Sequence, residues 1–109
     1  MDIEKLKREY LPMTETAYCI LLSLVDTRHG YGIMQYTEGL TKGRIKLGAG
    51  TLYGSLSRME KDKLIETAGE QERRKLYKLT ELGKTLLKLE IQRLRELYEL
   101  GKCYEEGVI

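Results

Sequence analysis

Tryptophan and phenylalanine are absent from this 109-residue sequence, histidine and proline occur once each, and cysteine occurs twice. The scarcity of histidine and cysteine leaves no group with metal-ligand spacing, so no metal and no cofactor is expected. His29 stands beside glycines, where a structural role is expected rather than a catalytic one. No serine lies in a G-x-S-x-G elbow. Gly48 and Gly50 lead into Thr51 as in a phosphate loop, but glycine rather than lysine precedes the threonine. The amides of such a loop need that lysine beside the phosphates, and no strand–helix–strand pattern surrounds it. The sequence is therefore expected to have no catalytic activity. Its most apolar run, Thr16–Val25, is ten residues long, against the roughly 20 needed to cross a bilayer. The charged start, Met1-Asp2-Ile3-Glu4-Lys5, carries no apolar signal segment. A cytoplasmic protein with no membrane partner and reduced thiols at Cys19 and Cys103 is expected.

What is present is a core of leucine, isoleucine and eight tyrosines, and a third of the residues are charged. Such a modest core favours a single domain that buries a further face against a second copy. The formal net charge is only +2, but it is unevenly spread. Positive charge is concentrated between residues 42 and 84, while the flanking segments carry a slight acidic excess, as expected where one surface meets a polyanion.

Residues 2–11 read as a short amphipathic helix, packing on its own domain or reaching to a partner. Thr14 caps a second helix that is apolar nearly all round from Ala17 to Val25 and so belongs at the centre. Asp26–Gly30 break it, Gly30-Tyr31-Gly32 form a tight corner, and Ile33, Met34, Tyr36 and Leu40 continue a third helix of about three turns. Lys42–Gly48 alternates basic and apolar residues, as a short strand or an extended loop. Gly50-Thr51 open a fourth helix with Leu52, Leu56 and Met59 on its buried stripe. Leu64–Ala68 and Arg73–Leu79 read as strands joined by a polar turn at Gly69–Glu72. Thr80 then caps a long helix from Glu81 to about Tyr104. Its apolar residues fall on two stripes, one of Leu87, Ile91, Leu94 and Tyr98, the other of Leu82, Leu86, Leu89, Leu97, Leu100 and Tyr104. At 100° per residue these cover about half the circumference. One stripe is expected on the domain and the other on a second subunit, with Glu90 and Arg93 pairing across that interface.

A helix that enters a DNA groove needs small polar and aromatic side chains outward, and its N-terminal amides can hold a phosphate. Gly50, Thr51 and Tyr53 meet that requirement, with Ser55, Ser57 and Arg58 further along the face. Arg73, Arg74 and Lys75 would lie on the hairpin against neighbouring phosphates or the minor groove. Lys42, Arg44 and Lys46 add positive charge just before the helix.

These segments resemble the PadR family of winged-helix regulators over nearly the whole chain. The motifs are His29-Gly30-Tyr31-Gly32-Ile33, then Gly50-Thr51-Leu52-Tyr53-Gly54-Ser55-Leu56 with Met59-Glu60, then Arg73-Arg74-Lys75-Leu76-Tyr77-Lys78-Leu79-Thr80-Glu81-Leu82-Gly83. Gly54 stands where the family commonly has proline, and Lys63 where a glycine often precedes the strand. The resemblance implies a recognition helix and wing that grip an inverted-repeat operator, and a C-terminal helix that makes a two-fold dimer. It also implies that a small-molecule effector can act between subunits, although the tryptophan that stacks such ligands in one relative is absent here.

The expectation is a mainly α protein with a small β-hairpin wing. Residues 1–80 would form a winged helix-turn-helix DNA-binding domain, and residues 81–109 a C-terminal dimerisation helix. Its function would be sequence-specific repression by a homodimer on double-stranded DNA, with the dimer held by Leu87, Ile91, Leu94, Leu97, Tyr98 and Tyr104. A winged helix that binds a protein partner, and a ligand sensor without its own operator, stay open on the sequence.

Overall fold

The computed structural model describes residues 2–107; residues 1, 108 and 109, which fall within the expected spans 1–80 and 81–109, lie outside them. Helices α1 (Ile3–Tyr10) and α2 (Glu15–Ser23) lead to strand β1 (Arg28–His29) and helices α3 (Gly30–Leu40) and α4 (Ala49–Lys61). Strands β2 (Ile65–Gln71) and β3 (Arg74–Leu79) form the hairpin, and α5 (Glu81–Gly107) closes the chain. The order is that of a winged helix with a long C-terminal extension. The antiparallel sheet runs β1-β3-β2, which makes the basic strand β3 its centre.

Local chemistry explains each boundary. The Asp2 side chain accepts from the Glu4 amide to start α1, and Thr14 Oγ1 accepts from the Ala17 amide to start α2, each at 3.0 Å. Helix α2 was expected to reach Val25, but it ends at Ser23. The Ser23 hydroxyl donates to the Ile20 carbonyl, and the Leu24 and Val25 amides bond three residues back, tightening the last turn. Val25 is consequently exposed, while Ile20, Leu21 and Leu24 are buried.

The corner lies earlier than the glycines suggest. Gly30, Tyr31 and Gly32 are the first turn of α3, capped by His29 Nδ1, which accepts from the Gly32 amide at 3.0 Å. His29 therefore has the structural role expected of it. The turn proper occupies the residues before it, and β1 pairs Arg28 with Tyr77 and His29 with Leu76. The Arg28 guanidinium fastens this corner by donating to the Ser23 carbonyl at 2.7 Å and lying 4.0 Å from the centre of the Tyr36 ring.

Residues 42–48 are an extended loop rather than a strand, though the expected alternation holds, with Ile45 and Leu47 half-buried between exposed Lys42, Arg44 and Lys46. The hairpin turn also differs from expectation. Strand β2 continues to Gln71, which pairs with Arg74, so the turn is Glu72-Arg73. Gly69, with φ at +97°, sits at an irregularity in the ladder between Thr67 and Glu70. Its conformational freedom thus serves a bulge, which twists the wing, instead of the turn.

The core gathers Leu6 from α1, Ile20 and Leu21 from α2, Ile33 from α3, Leu52 and Leu56 from α4, and Leu86 and Leu87 from α5. Each fully buried leucine or isoleucine contributes roughly 1.5–3 kcal/mol. Helix α5 divides along its length rather than around its circumference. Leu82, Leu86, Leu87 and Ile91 pack on the body. Leu97, Tyr98, Leu100 and Tyr104 lie beyond it and are exposed by 49–71%, while Leu94, 37% exposed, stands at its edge beside Met13, Tyr18 and Cys19. Glu90 and Arg93 also depart from expectation, because they pair within one chain. Glu90 is buried and accepts from Arg93 Nε at 2.6 Å, Arg93 Nη2 at 3.0 Å and the Met13 amide at 2.8 Å.

Two predictions follow from this packing. A Cβ at Gly83 would collide with the Leu64 carbonyl oxygen, a backbone atom that cannot yield. Gly83→Ala is expected to lose about 1–3 kcal/mol in urea unfolding, and wild-type stability in this variant would remove the close approach from the account. The hydrogen bonds from Arg93, more than that from Met13, hold the Glu90 carboxyl below its ordinary pKa against the opposing effect of burial. A depressed folded pKa adds stability that is complete above the unfolded value and lost as pH falls through the folded one. Glu90→Gln is therefore expected to be less stable by about 1–3 kcal/mol at neutral pH. That gap should narrow as pH drops below about 4, as chemical denaturation at several pH values would read.

Candidate nucleic-acid interface

The wing, the start of α3 and the start of α4 enclose an open groove of about 530 Å³. Arg73, Arg74, Lys75 and Tyr77 form one wall, Tyr31 and Met34 of α3 another, and Ala49 and Tyr53 of α4 the third, with Gly30 between. No acidic residue lines it. Tyr31 and Tyr53 are both about half exposed, so their rings and hydroxyls are available to a ligand.

The groove depends on Gly30. A Cβ there would collide with the Tyr53 hydroxyl, so the absence of a side chain is what lets the Tyr53 ring lie against α3. The Arg74 guanidinium sits 5.8 Å from the centre of the Tyr31 ring, which gives it an aromatic surface to lie on while its donors face outward. Burial pushes the Tyr77 phenol up from its ordinary pKa, and the nearby Glu60 and Tyr53 add to the effect, so it stays a neutral donor at the foot of the wing.

Helix α4 starts without a side-chain cap, because Gly48 has none to offer. Ala49, Gly50 and Thr51 are exposed there, leaving the first-turn amides open to an anion. Gly50 and Gly54 have open space where a Cβ would stand, so the outward face of the helix is smooth and a partner's backbone can come close.

The remaining expected residues divide. Lys46 is exposed beside Tyr31, Gln35 and Glu38, next to the groove. Lys42 is exposed at the end of α3. Arg44 faces away, bonded to Glu15 at 2.6 Å, and that hydrogen bond raises its pKa further. Ser55 and Arg58 lie on the opposite shoulder of α4 from Tyr53, beside Tyr10, Pro12 and Thr14. Arg58 lies 4.7 Å from the centre of the Tyr10 ring and 3.9 Å from Asp62, which in turn accepts from the Tyr10 hydroxyl at 2.7 Å. Burial first, then that hydrogen bond, pushes the Tyr10 phenol well above its ordinary range. This cluster ties α1 to α4 rather than adding to the groove. Of the six residues expected in a dimer face, Leu87 is buried in the chain's own core and Ile91 is partly covered, while Leu94, Leu97, Tyr98 and Tyr104 are exposed.

Sequence reasoning missed Tyr31 as a groove wall and Gly30 as the floor under Tyr53. The sequence signal for both is the run Gly30-Tyr31-Gly32, an aromatic between two glycines.

Comparison with known proteins agrees with this architecture. A PadR-like transcription factor from Bacteroides fragilis is 29% identical, with a TM-score of 0.68 over 93% of this chain and 97% of that one. A PadR family transcription regulator from hypervirulent Clostridium difficile is 26% identical, with a TM-score of 0.65 over 81% and 96% of the two chains. Among curated proteins, an uncharacterized protein from Lysinibacillus sphaericus is 31% identical over 80% of this chain and 84% of its own length. A 37.1 kDa protein of a Streptomyces fradiae transposon is 34% identical over 82% of this chain, which spans about a quarter of that protein. Residues 19–89 match the family model described as the transcriptional regulator PadR-like family. With its winged-helix order and most of its length inside that match, the chain belongs to the PadR-like family, whose members are transcriptional regulators and not enzymes.

Proposed function

We propose that this DNA-binding regulator acts as a homodimeric repressor in the cytoplasm, each protomer laying its wing and the start of α4 on one half of an inverted-repeat operator. The observation that carries the reading is the groove. Three cations and two exposed tyrosines converge on it beside an uncapped helix N-terminus, with no acid among the lining residues. A DNA strand would pass with its phosphates against Arg73, Arg74 and Lys75, while Tyr53, Thr51 and Gly50 face the major groove. The backbone contacts would fix register, and the smooth face of α4 would read the bases.

The dimer rests on α5. Beyond Ile91 its large apolar side chains are exposed by up to 71%, a density unusual on a free helix. On a helical wheel Leu94, Leu97, Tyr98, Leu100 and Tyr104 share one side with Gly101, while Arg95, Glu96, Glu99 and Lys102 occupy the other. A two-fold pair of these faces would bury the tyrosines and leucines and leave the charges in water. Two recognition helices about 34 Å apart then address successive major grooves. Repression follows by occlusion of the promoter, relieved when an effector at the subunit junction favours another separation of the two helices.

Selection of duplexes from a random pool followed by mobility-shift titration tests the reading. A palindromic consensus bound as one dimer-sized complex, with affinity falling steeply as salt rises, is the expected result. Affinity that salt leaves untouched, or no selected duplex, would favour a protein partner instead. Gly30→Ala displaces the Tyr53 ring without entering the core and is expected to weaken binding about tenfold with little loss of stability; unchanged binding would exclude Tyr53 from the interface. Leu97→Glu combined with Tyr98→Glu is expected to leave a folded monomer by light scattering, and a dimeric mass for that variant would remove α5 as the interface.

A further inference from the structure

The two tyrosines of the groove present surfaces that a duplex cannot use in full. Duplex DNA offers phosphates along its strands and base edges in its grooves, while the faces of its bases are stacked on one another. The face of an aromatic ring is matched by another plane or by a cation laid on it. Tyr31 of α3 and Tyr53 of α4 both reach the groove about half exposed. Two rings brought to one concavity from separate helices exceed what hydrogen bonds to a DNA backbone require.

Their surroundings suit a plane that carries several negative charges. Tyr31 is backed by the His29 ring, which lies nearly parallel to it at 6.5 Å and is not part of the groove wall. His29 is itself held by the Gly32 amide. Arg74 stands 5.8 Å from the centre of the Tyr31 ring. Contacts of about 3.5 Å on each face of a planar group need about 7 Å, so a short outward swing of the flexible arginine admits one between guanidinium and phenol. Met34 adds a polarizable thioether to the α3 wall. Arg73, Arg74 and Lys75 supply three positive charges, with no acid among the lining residues to oppose them. At about 530 Å³ the concavity falls in the range of small-molecule sites. A ring with a single carboxylate would fill the plane and leave two cations unused. A nucleotide, a base joined to phosphates, meets both.

We propose that the groove is also a binding site for an unstacked nucleotide, its base laid on Tyr31 and its phosphates on Arg74 and Lys75, so that a nucleotide and a duplex exclude one another. A free nucleoside triphosphate and an unpaired base within a single strand carry this same chemistry. Occupancy of the site follows nucleotide concentration by mass action. It acts on the DNA-binding surface itself, with no change in α5 and no ligand at the subunit junction. Nucleotide binding stands independently of the DNA-binding reading above, whereas the exclusion of a duplex rests on it.

Calorimetric titration of the protein with ATP, adenosine, inorganic triphosphate and a short single-stranded oligodeoxyadenylate tests the site. ATP is expected to bind once per protomer and about tenfold more tightly than adenosine or triphosphate. Tyr31→Ala removes an exposed side chain, so Tm should stay within about 4 °C of wild type. Its ATP affinity should fall about tenfold, the loss expected of one base–aromatic stack, while Tyr31→Phe should keep wild-type affinity. Triphosphate that binds as tightly as ATP reduces the site to its cations and overturns the proposal, and so does undiminished ATP affinity in Tyr31→Ala. Where the Tyr31→Ala loss is seen, an oligonucleotide no tighter than ATP identifies the ligand as a free nucleotide, and one about tenfold tighter identifies it as an unpaired strand. On a duplex selected with the wild type, ATP should raise the protein concentration needed for half-saturation, and a complex that holds duplex and ATP together overturns the exclusion. If no duplex is selected, the DNA-binding reading fails, while the ATP titration still decides the site.

Discussion

The carbonyl of Leu64 is the point on which the geometry of the protein depends. It accepts from the Thr80 amide at 3.0 Å and lies 3.1 Å from the Thr80 hydroxyl, which also donates to the Lys63 carbonyl at 2.7 Å. The side-chain-free face of Gly83 closes over the same oxygen. Four structural features meet there: the end of α4, the start of β2, the end of β3 and the first turn of α5. The hairpin is clamped at its base, so its tip has one position relative to α4. The same clamp sets the direction in which α5 leaves the body. Because packed elements have few alternative arrangements, a change in the angle of α5 can reach α4 through this junction. The parallel route runs through α1, which packs on α5 and holds Asp62 of α4 through Tyr10.

Charge is sorted with similar economy. A formal net charge of +2 predicts little about a polyanion, and the raw count of cations between residues 42 and 84 overstates what is free. Arg44 is committed to Glu15, Arg58 to Asp62 and the Tyr10 ring, and Lys78 to Glu66. These pairs are exposed and worth little as stability, but each holds a guanidinium or ammonium away from the groove. What remains on the groove wall is Arg73, Arg74 and Lys75. On the far side of the wing a second concavity has the opposite character, with Glu60, Glu66 and Glu81 around Lys63. The hairpin thus presents a basic surface toward the start of α4 and an acidic one toward its end, which allows an anion to approach from one side only.

The helices, the hairpin and their order were legible in the sequence because each rests on a local signal: Thr14 and Thr80 as caps, Leu52-Leu56-Met59 at helical spacing, and alternation through Arg73–Leu79. The errors share a physical cause, which is that a glycine has several uses. Gly30 and Gly32 suggest a turn, whereas Gly30 makes room for Tyr53 and Gly32 supplies the amide that His29 caps. Gly69 suggests the turn but serves a bulge, while the true turn is made by two residues that no propensity would choose. Of the candidate interface, the wing cations and the start of α4 were visible, and the diversion of Arg44 and Arg58 was not. An ion pair 29 residues apart in sequence, such as Arg44 with Glu15, leaves no periodic trace. The division of α5 was hidden for a different reason. A helical wheel reports which way a residue faces but not where the neighbouring domain ends, so Leu87 and Tyr98 look equivalent until the body is seen to stop between them.

The small number of groove cations bears on what the proposed pairing of two protomers would add. Log affinity falls with log salt by roughly 0.9 per neutralised phosphate. Three groove cations on one protomer therefore supply a modest electrostatic attraction, one that physiological salt largely removes. In the proposed dimer, two protomers joined through α5 would double that number without a new contact, and the second half-site would then be engaged at a high effective concentration. With so few groove cations, the chain would gain selectivity from that arrangement. A single half-site would hold the protein weakly, and a sequence that presents both halves would retain it. On the dimer reading, the modest basic surface is what would allow discrimination, and a more basic wing would bind more tightly while reading less.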